Sequence, residues 1–134
     1  MNNTTRFSLS EASKQLIHQV FADMMESCHG ITGLLISTVD GHVVSSLFRG
    51  ETMQEARLAA MTSSLLALGE SLSKEAKQDE CKHIIVQNSD GVIVTQRFGK
   101  SLVLTSIADT ATNLGMLHSV TRIGANKLAA FKKE

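Results

Sequence analysis

Apolar residues recur with helical spacing from Leu9 to about Ser27, at Leu9, Ala12, Leu16, Val20, Phe21 and Met24. Ser8 with Glu11 fits a capping box at the start of this first helix, and Gly30 punctuates its end. The period then changes. "LLISTVDGHVV" presents two apolar runs joined through Asp40-Gly41, a dipeptide suited to the positive φ angles of a tight hairpin. Thr52 and Glu55 form a second capping box, and helical spacing persists from Met53 to about Lys77. "HIIVQNSDGVIVTQRF" repeats the hairpin signature around Asp90-Gly91, and "SLVLTSIA" after Gly99 adds a strand. Thr112 caps a last helix whose apolar positions are Leu117, Val120, Gly124, Leu128 and Phe131. The order is αββαβββα.

The strand cores LLI, VV, IIV, VIV and LVL are apolar without alternation, whereas a sheet with one wet face alternates. Hairpin connections make the sheet antiparallel, and helices must cover both faces. The fold class is α/β in the α+β sense, a three-layer sandwich around a five-stranded antiparallel sheet. Three helices share two surfaces, so one face is covered by a single helix.

The second helix carries the stretch "AAMTSSLLALGES", and between Ala56 and Ser73 only Arg57 and Glu70 are charged. With about 100° between residues, Leu58, Met61, Leu65, Leu68 and Leu72 share one stripe, which suits the sheet. Ala56, Ala60, Ser63, Ala67 and Ser71 share another, roughly 130° away and composed only of small residues. Such a stripe lets a second helix approach closely, and the expected neighbour is the same helix of a second copy. The alternative is a merely exposed face in which Ala and Ser are tolerated helix residues. The strand Ile84, Ile85, Val86 raises a related question: as an unpaired edge it is an aggregation hazard, and the chain has no Pro to blunt it. Pairing with another copy removes the hazard. Lys82 and His83 acting as gatekeepers are the other solution.

Composition narrows the function. The 134 residues fit one domain, 1–134, with 1–7 expected to be flexible. Thirteen basic residues balance thirteen acidic ones, with no basic run, and Trp and Tyr are absent. No field attracts phosphate backbones or anionic lipid, and no aromatic platform stacks bases, so neither nucleic acid nor membrane is expected as a partner. The start has no apolar core of a signal peptide and no run has the length of a membrane span, which makes the cytoplasm the expected location. Cys28 and Cys81 are too few for a disulfide framework and are read as reduced thiols.

Catalytic constellations are thin. Cys28-His29 reads as a pair at a helix end. Cys81 and His83, with Asp79 and Glu80 nearby, could begin a zinc site, but no second Cys or His pair has suitable spacing. His118 has no nucleophile motif around it and reads as half-buried, and "GES" at Gly69 to Ser71 lacks the serine elbow of hydrolases. No Walker-type loop occurs, so the chain itself should not bind GTP. No catalytic residue, metal or cofactor is expected, and the protein is not expected to be an enzyme. Gly115 and Gly124 cost about 1 kcal/mol each inside a helix, which implies close packing there or a helix that begins after Gly115.

From Leu16 to Leu128 the chain resembles the roadblock / dynein light chain family, and within it bacterial regulators of small Ras-like GTPases. The carriers are "GITGLLISTVDGHVV", the helix with "AAMTSSLLALGESL", the hairpin "IIVQNSDGVIV", and "SLVLTSIADTATNLGML", in that order and spacing. The resemblance implies a profilin-like sandwich with the long second helix on one face and the first and third on the other. It implies a homodimer formed through the second helix and the edge strand Cys81 to Asn88. It also implies a noncatalytic regulator or scaffold whose paired long helices receive a small Ras-like GTPase and modulate its nucleotide cycle. The arginines near that platform, Arg49 and Arg57, are the candidate GTPase contacts, although the resemblance implies action by holding one conformation rather than by donating a residue. Two other readings are a small-ligand sensor and a plain dimeric adaptor without effect on a GTPase.

Overall fold

The computed structural model of the protein describes residues 9–51 and 53–130. Eight elements follow in the predicted order: α1 (Glu11–Ser27), β1 (Ile31–Thr38), β2 (Val43–Phe48), α2 (Glu55–Glu75), β3 (His83–Asn88), β4 (Gly91–Phe98), β5 (Leu102–Asp109) and α3 (Leu114–Ala130). The strands make one antiparallel sheet in the order β2-β1-β5-β4-β3. β1 and β5, far apart in sequence, meet at its centre, and the two hairpins flank them.

Lack of alternation in the strands has the expected consequence at the centre of the sheet. Leu34, Ile36, Val94 and Leu104 point to one face, where they join Phe21 and Met24 of α1 and Leu117 and Leu128 of α3 in one apolar cluster. Leu35 and Val103 are also fully buried, outside that cluster, and the buried residues of α2 are Ala59, Thr62 and Leu66. The outer strands β2 and β3 are only half-buried. Helices α1 and α3 pack on each other at Gly124, where a Cβ would lie 2.7 Å from the Met24 sulfur, so glycine sets how near the two helices come.

Helix starts differ from the sequence reading. Ser10 is the N-cap of α1, its Oγ accepting from the Ser13 N–H at 3.1 Å. Gln54 is the N-cap of α2 and makes no side-chain cap bond, so that helix begins at Glu55 rather than Met53. The Ser8 and Thr52 halves of the two capping boxes, the flexible segment 1–7 and the apolar position Phe131 lie outside the described residues. Thr112 does not cap α3. Its hydroxyl faces the Cys28 thiol at 3.4 Å, while the Asn113 side-chain oxygen accepts from the Met116 N–H at 2.8 Å. Asn is as good an N-cap as Thr, and its position next to the first helical residue decides the matter. The helix includes Gly115, where a Cβ would meet only the Asn113 oxygen at 3.6 Å, so close packing explains Gly124 and not Gly115.

Candidate functional site

On the side of the sheet that α2 covers, the structure departs from the orientation expected of the leucine stripe. At about 100° per residue, Ala59, Thr62, Leu66 and Gly69 form a third line, roughly 100–120° from both the leucine and the small-residue stripes. This line meets the sheet: Ala59, Thr62 and Leu66 are buried, and a Cβ on Gly69 would press against Ile84 of β3 at 3.0 Å. The leucines do not reach it as expected. Met61, Leu68 and Leu72 are 63%, 67% and 69% exposed, and Leu58 and Leu65 are half-buried.

Small residues on the buried line let α2 come near the sheet, and the leucines then overhang its uncovered half. Between them and the strands runs an apolar groove of about 580 Å³. Its floor is Ile93 and Thr95 of β4 with Thr105 and Ile107 of β5, and its walls include Leu65, Leu68 and Val86. The Thr95 and Thr105 hydroxyls are 3.4 Å apart and satisfy one another. Arg57, exposed, is the one cation lining it.

The small stripe lies on the other flank of α2. The β1–β2 turn packs there, with Gly41 at φ +97°, and a Cβ on that glycine would stand 3.5 Å from the Ala60 Cα. Ser63, half-buried, donates its hydroxyl to the Val39 carbonyl at 2.6 Å. Ala56, Ala60, Ala67 and Ser71 are exposed. Two members of the stripe thus have a reason to be small inside the molecule itself.

β3 is an edge strand, as its sequence suggested, and β2 is the other edge. Ile85 packs against the α1/α3 cluster, Ile84 lies beside Gly69 of α2, and Val86 is 38% exposed and lines the groove. The strand is fixed to α2 by Glu70, whose Oε1 accepts from the Cys81 N–H and from Arg97 Nη1, both at 3.1 Å. One carboxylate thereby joins the end of α2, the entry to β3, and β4.

The two candidate arginines have different surroundings. Arg49 donates from Nη1 to the His29 carbonyl at 2.8 Å and from Nη2 to the Met25 carbonyl at 3.4 Å. It satisfies acceptors at the C-terminal end of α1, where α-helical carbonyls lack partners. Among the described residues Arg57 has no such engagement, and it stands beside the groove. His83 faces α3, where its ring lies 4.2 Å from that of His118. Burial, then the neighbouring His118 and Arg122, hold its pKa below the ordinary 6.5. Cys81 directs its thiol to the His83 carbonyl at 3.7 Å, and among the described residues no three His, Cys, Asp or Glu side chains gather as a metal site. No helix among them is long and apolar enough to cross a membrane.

Sequence reasoning missed the groove floor and the outward turn of Met61, Leu68 and Leu72. The available signal was the line Ala59, Thr62, Leu66, Gly69, small enough to seat the helix close to the sheet.

The sequence profile of the Roadblock/LC7 domain matches residues 19–108. No curated protein sequence matches the chain. Among solved structures, the gliding protein MglB of Thermus thermophilus superposes with a TM-score of 0.85 at 15% identity, over 97% of this chain and 96% of that one. An MglB structure with a tetrameric arrangement reaches 0.85 at 16% identity, with the same coverage of 97% and 96%. LokiProfilin2, solved with rabbit actin, gives 0.65 at 16% identity over 92% and 100%. At these identities the likeness is one of fold, and the sandwich is profilin-like.

Proposed function

The chain belongs to the Roadblock/LC7 domain family, and on that premise we propose that it is a noncatalytic homodimer that binds a small Ras-like GTPase and modulates its nucleotide cycle. The observation that carries the reading is the open apolar face: three large side chains of α2 more than 60% exposed, over a groove that ends at an edge strand. Fully burying one such side chain contributes about 1.5–3 kcal/mol. Three from each of two copies are then comparable with the ~4–15 kcal/mol that association costs.

In the proposed dimer the outer side of α2 meets its symmetry mate, with Ala56, Ala60, Ala67 and Ser71 giving close approach beside the leucines. Ser63 lies at the margin of that contact, its hydroxyl already committed to Val39. Ile84, Ile85 and Val86 belong to the edge that continues from one sheet into the next, so that backbone groups left open on β3 find partners. The small Ras-like GTPase sits on the paired long helices. Arg57 is the arginine we assign to that contact, since the Arg49 guanidinium is engaged with the end of α1. A partner that binds one nucleotide state better shifts the population by that difference in affinity, without supplying a catalytic group.

Sedimentation or light scattering tests the dimer. Affinity for Ras-like GTPases of the same cell, loaded with GDP or GTP, tests the regulation. Binding to one form with altered hydrolysis is expected, and no binding to either form removes the proposal. Nucleotide-independent binding with unaltered hydrolysis would leave a plain adaptor. A small-ligand sensor has one observation in its favour, the apolar groove of about 580 Å³ between α2 and the sheet. Native mass spectrometry of freshly isolated protein would then show a retained molecule.

A further inference from the structure

Opposite the groove, on the α3 side, the edge strand is held by a contact of another kind. His83 opens β3, the ring of His118 lies 4.2 Å from its own with a tilt of 42°, and the Nε2 of His118 is buried with no hydrogen-bond partner. The charges acting on His83 are His118 and Arg122, both on α3. Gln96, its register partner on β4, is uncharged. A neutral His83 imidazole packs on the His118 ring as an aromatic surface, but a His83 imidazolium is repelled by the Arg122 guanidinium on the same helix as His118.

We propose that the His83–His118 contact is an acid-sensitive latch, and that protonation of His83 frees the β3 edge from α3. Because His83 is held below 6.5 in the fold, the folded state resists a proton that the unfolded or opened strand accepts. The contact is therefore at full strength above that value, and it is lost as pH falls from 6.5 through the lower, folded midpoint. Opening rises by at most about tenfold per pH unit for each proton taken up. If β3 is also the seam between copies, which rests on the function proposed above, the dimer dissociates more readily in mild acid.

The test uses the full chain and its Ala67→Glu variant, designed to be monomeric, so that the latch is read without the dimer. Amide exchange across β3, corrected for intrinsic rates, is expected to accelerate between pH 7.5 and pH 5, while β5 amides stay protected. In NMR titrations the His83 midpoint is expected below 6.5, moving up toward it in His118→Gln and in Arg122→Gln. His118→Gln should flatten the pH dependence of β3 exchange. Exchange that does not respond to pH, or that responds equally in His118→Gln, overturns the latch. A wild-type protein monomeric at every pH, with β3 exchange still acid-sensitive, sinks the dimer and leaves the latch standing.

Discussion

The two faces of the sheet are built from alternate residues of the same strands, yet one is closed and the other is not. On the α1/α3 face, two helices separated by the width of a glycine at Gly124 enclose a continuous cluster that includes Leu34, Leu104 and Leu117 at 0% exposure. On the α2 face a single helix lies close to the sheet through Ala59, Thr62 and Leu66, leaving Ile93 and Ile107 at the floor of a groove. Equally apolar strands thus serve two ends. One face encloses the core, and the other leaves apolar surface open.

Substitutions sharpen this contrast. Leu34→Ala empties a fully enclosed site and should cost about 3–5 kcal/mol in urea unfolding, whereas Leu72→Ala in dilute, monomeric protein should stay within about 0.5 kcal/mol. Equal losses would mean that the α2 face is as closed as its opposite. Next comes self-association. Ala60→Glu and Ala67→Glu should each give a folded protein whose dimerisation, followed by sedimentation, is weakened by about a hundredfold or more, because a charge is trapped against its symmetry mate. If both variants remain dimers, the interface lies elsewhere. The smallest effects concern the glycines of α3. Gly115→Ala should raise stability by up to about 1 kcal/mol, as helix propensity predicts where no neighbour intrudes, while Gly124→Ala should gain less or lose, since Met24 must move. Thermal unfolding of the two variants side by side decides it.

Much of this was visible in the chain before folding. The two Asp-Gly hairpins, the non-alternating strands and the three helical periods fix the element order, because each is a local pattern with a local cause. Helix starts were less legible. Ser8 and Ser10, Thr52 and Gln54, Thr112 and Asn113 all offer polar side chains within one turn of each other, and which residue sits at the N-cap depends on how the preceding strand or loop arrives. The orientation of α2 was hidden for a related reason. Periodicity tells which residues share a line, not which line faces inward. Ranking by hydrophobicity favours the leucines, but proximity to the sheet favours Ala59, Thr62 and Gly69, and proximity prevailed. Arg49 illustrates the remaining blind spot: nothing in its neighbourhood in sequence indicates that it reaches across to carbonyls of Met25 and His29.

The central pairing of β1 with β5 has a consequence for how the molecule comes into being. As the chain emerges from the ribosome, the first hairpin must wait for residues 102–109 before its inner strand finds a neighbour on that side. Neither half of the polypeptide can finish alone, so assembly depends on a late, long-distance closure, and a nascent fragment ending before Leu102 should be a substrate for chaperones rather than a small folded unit.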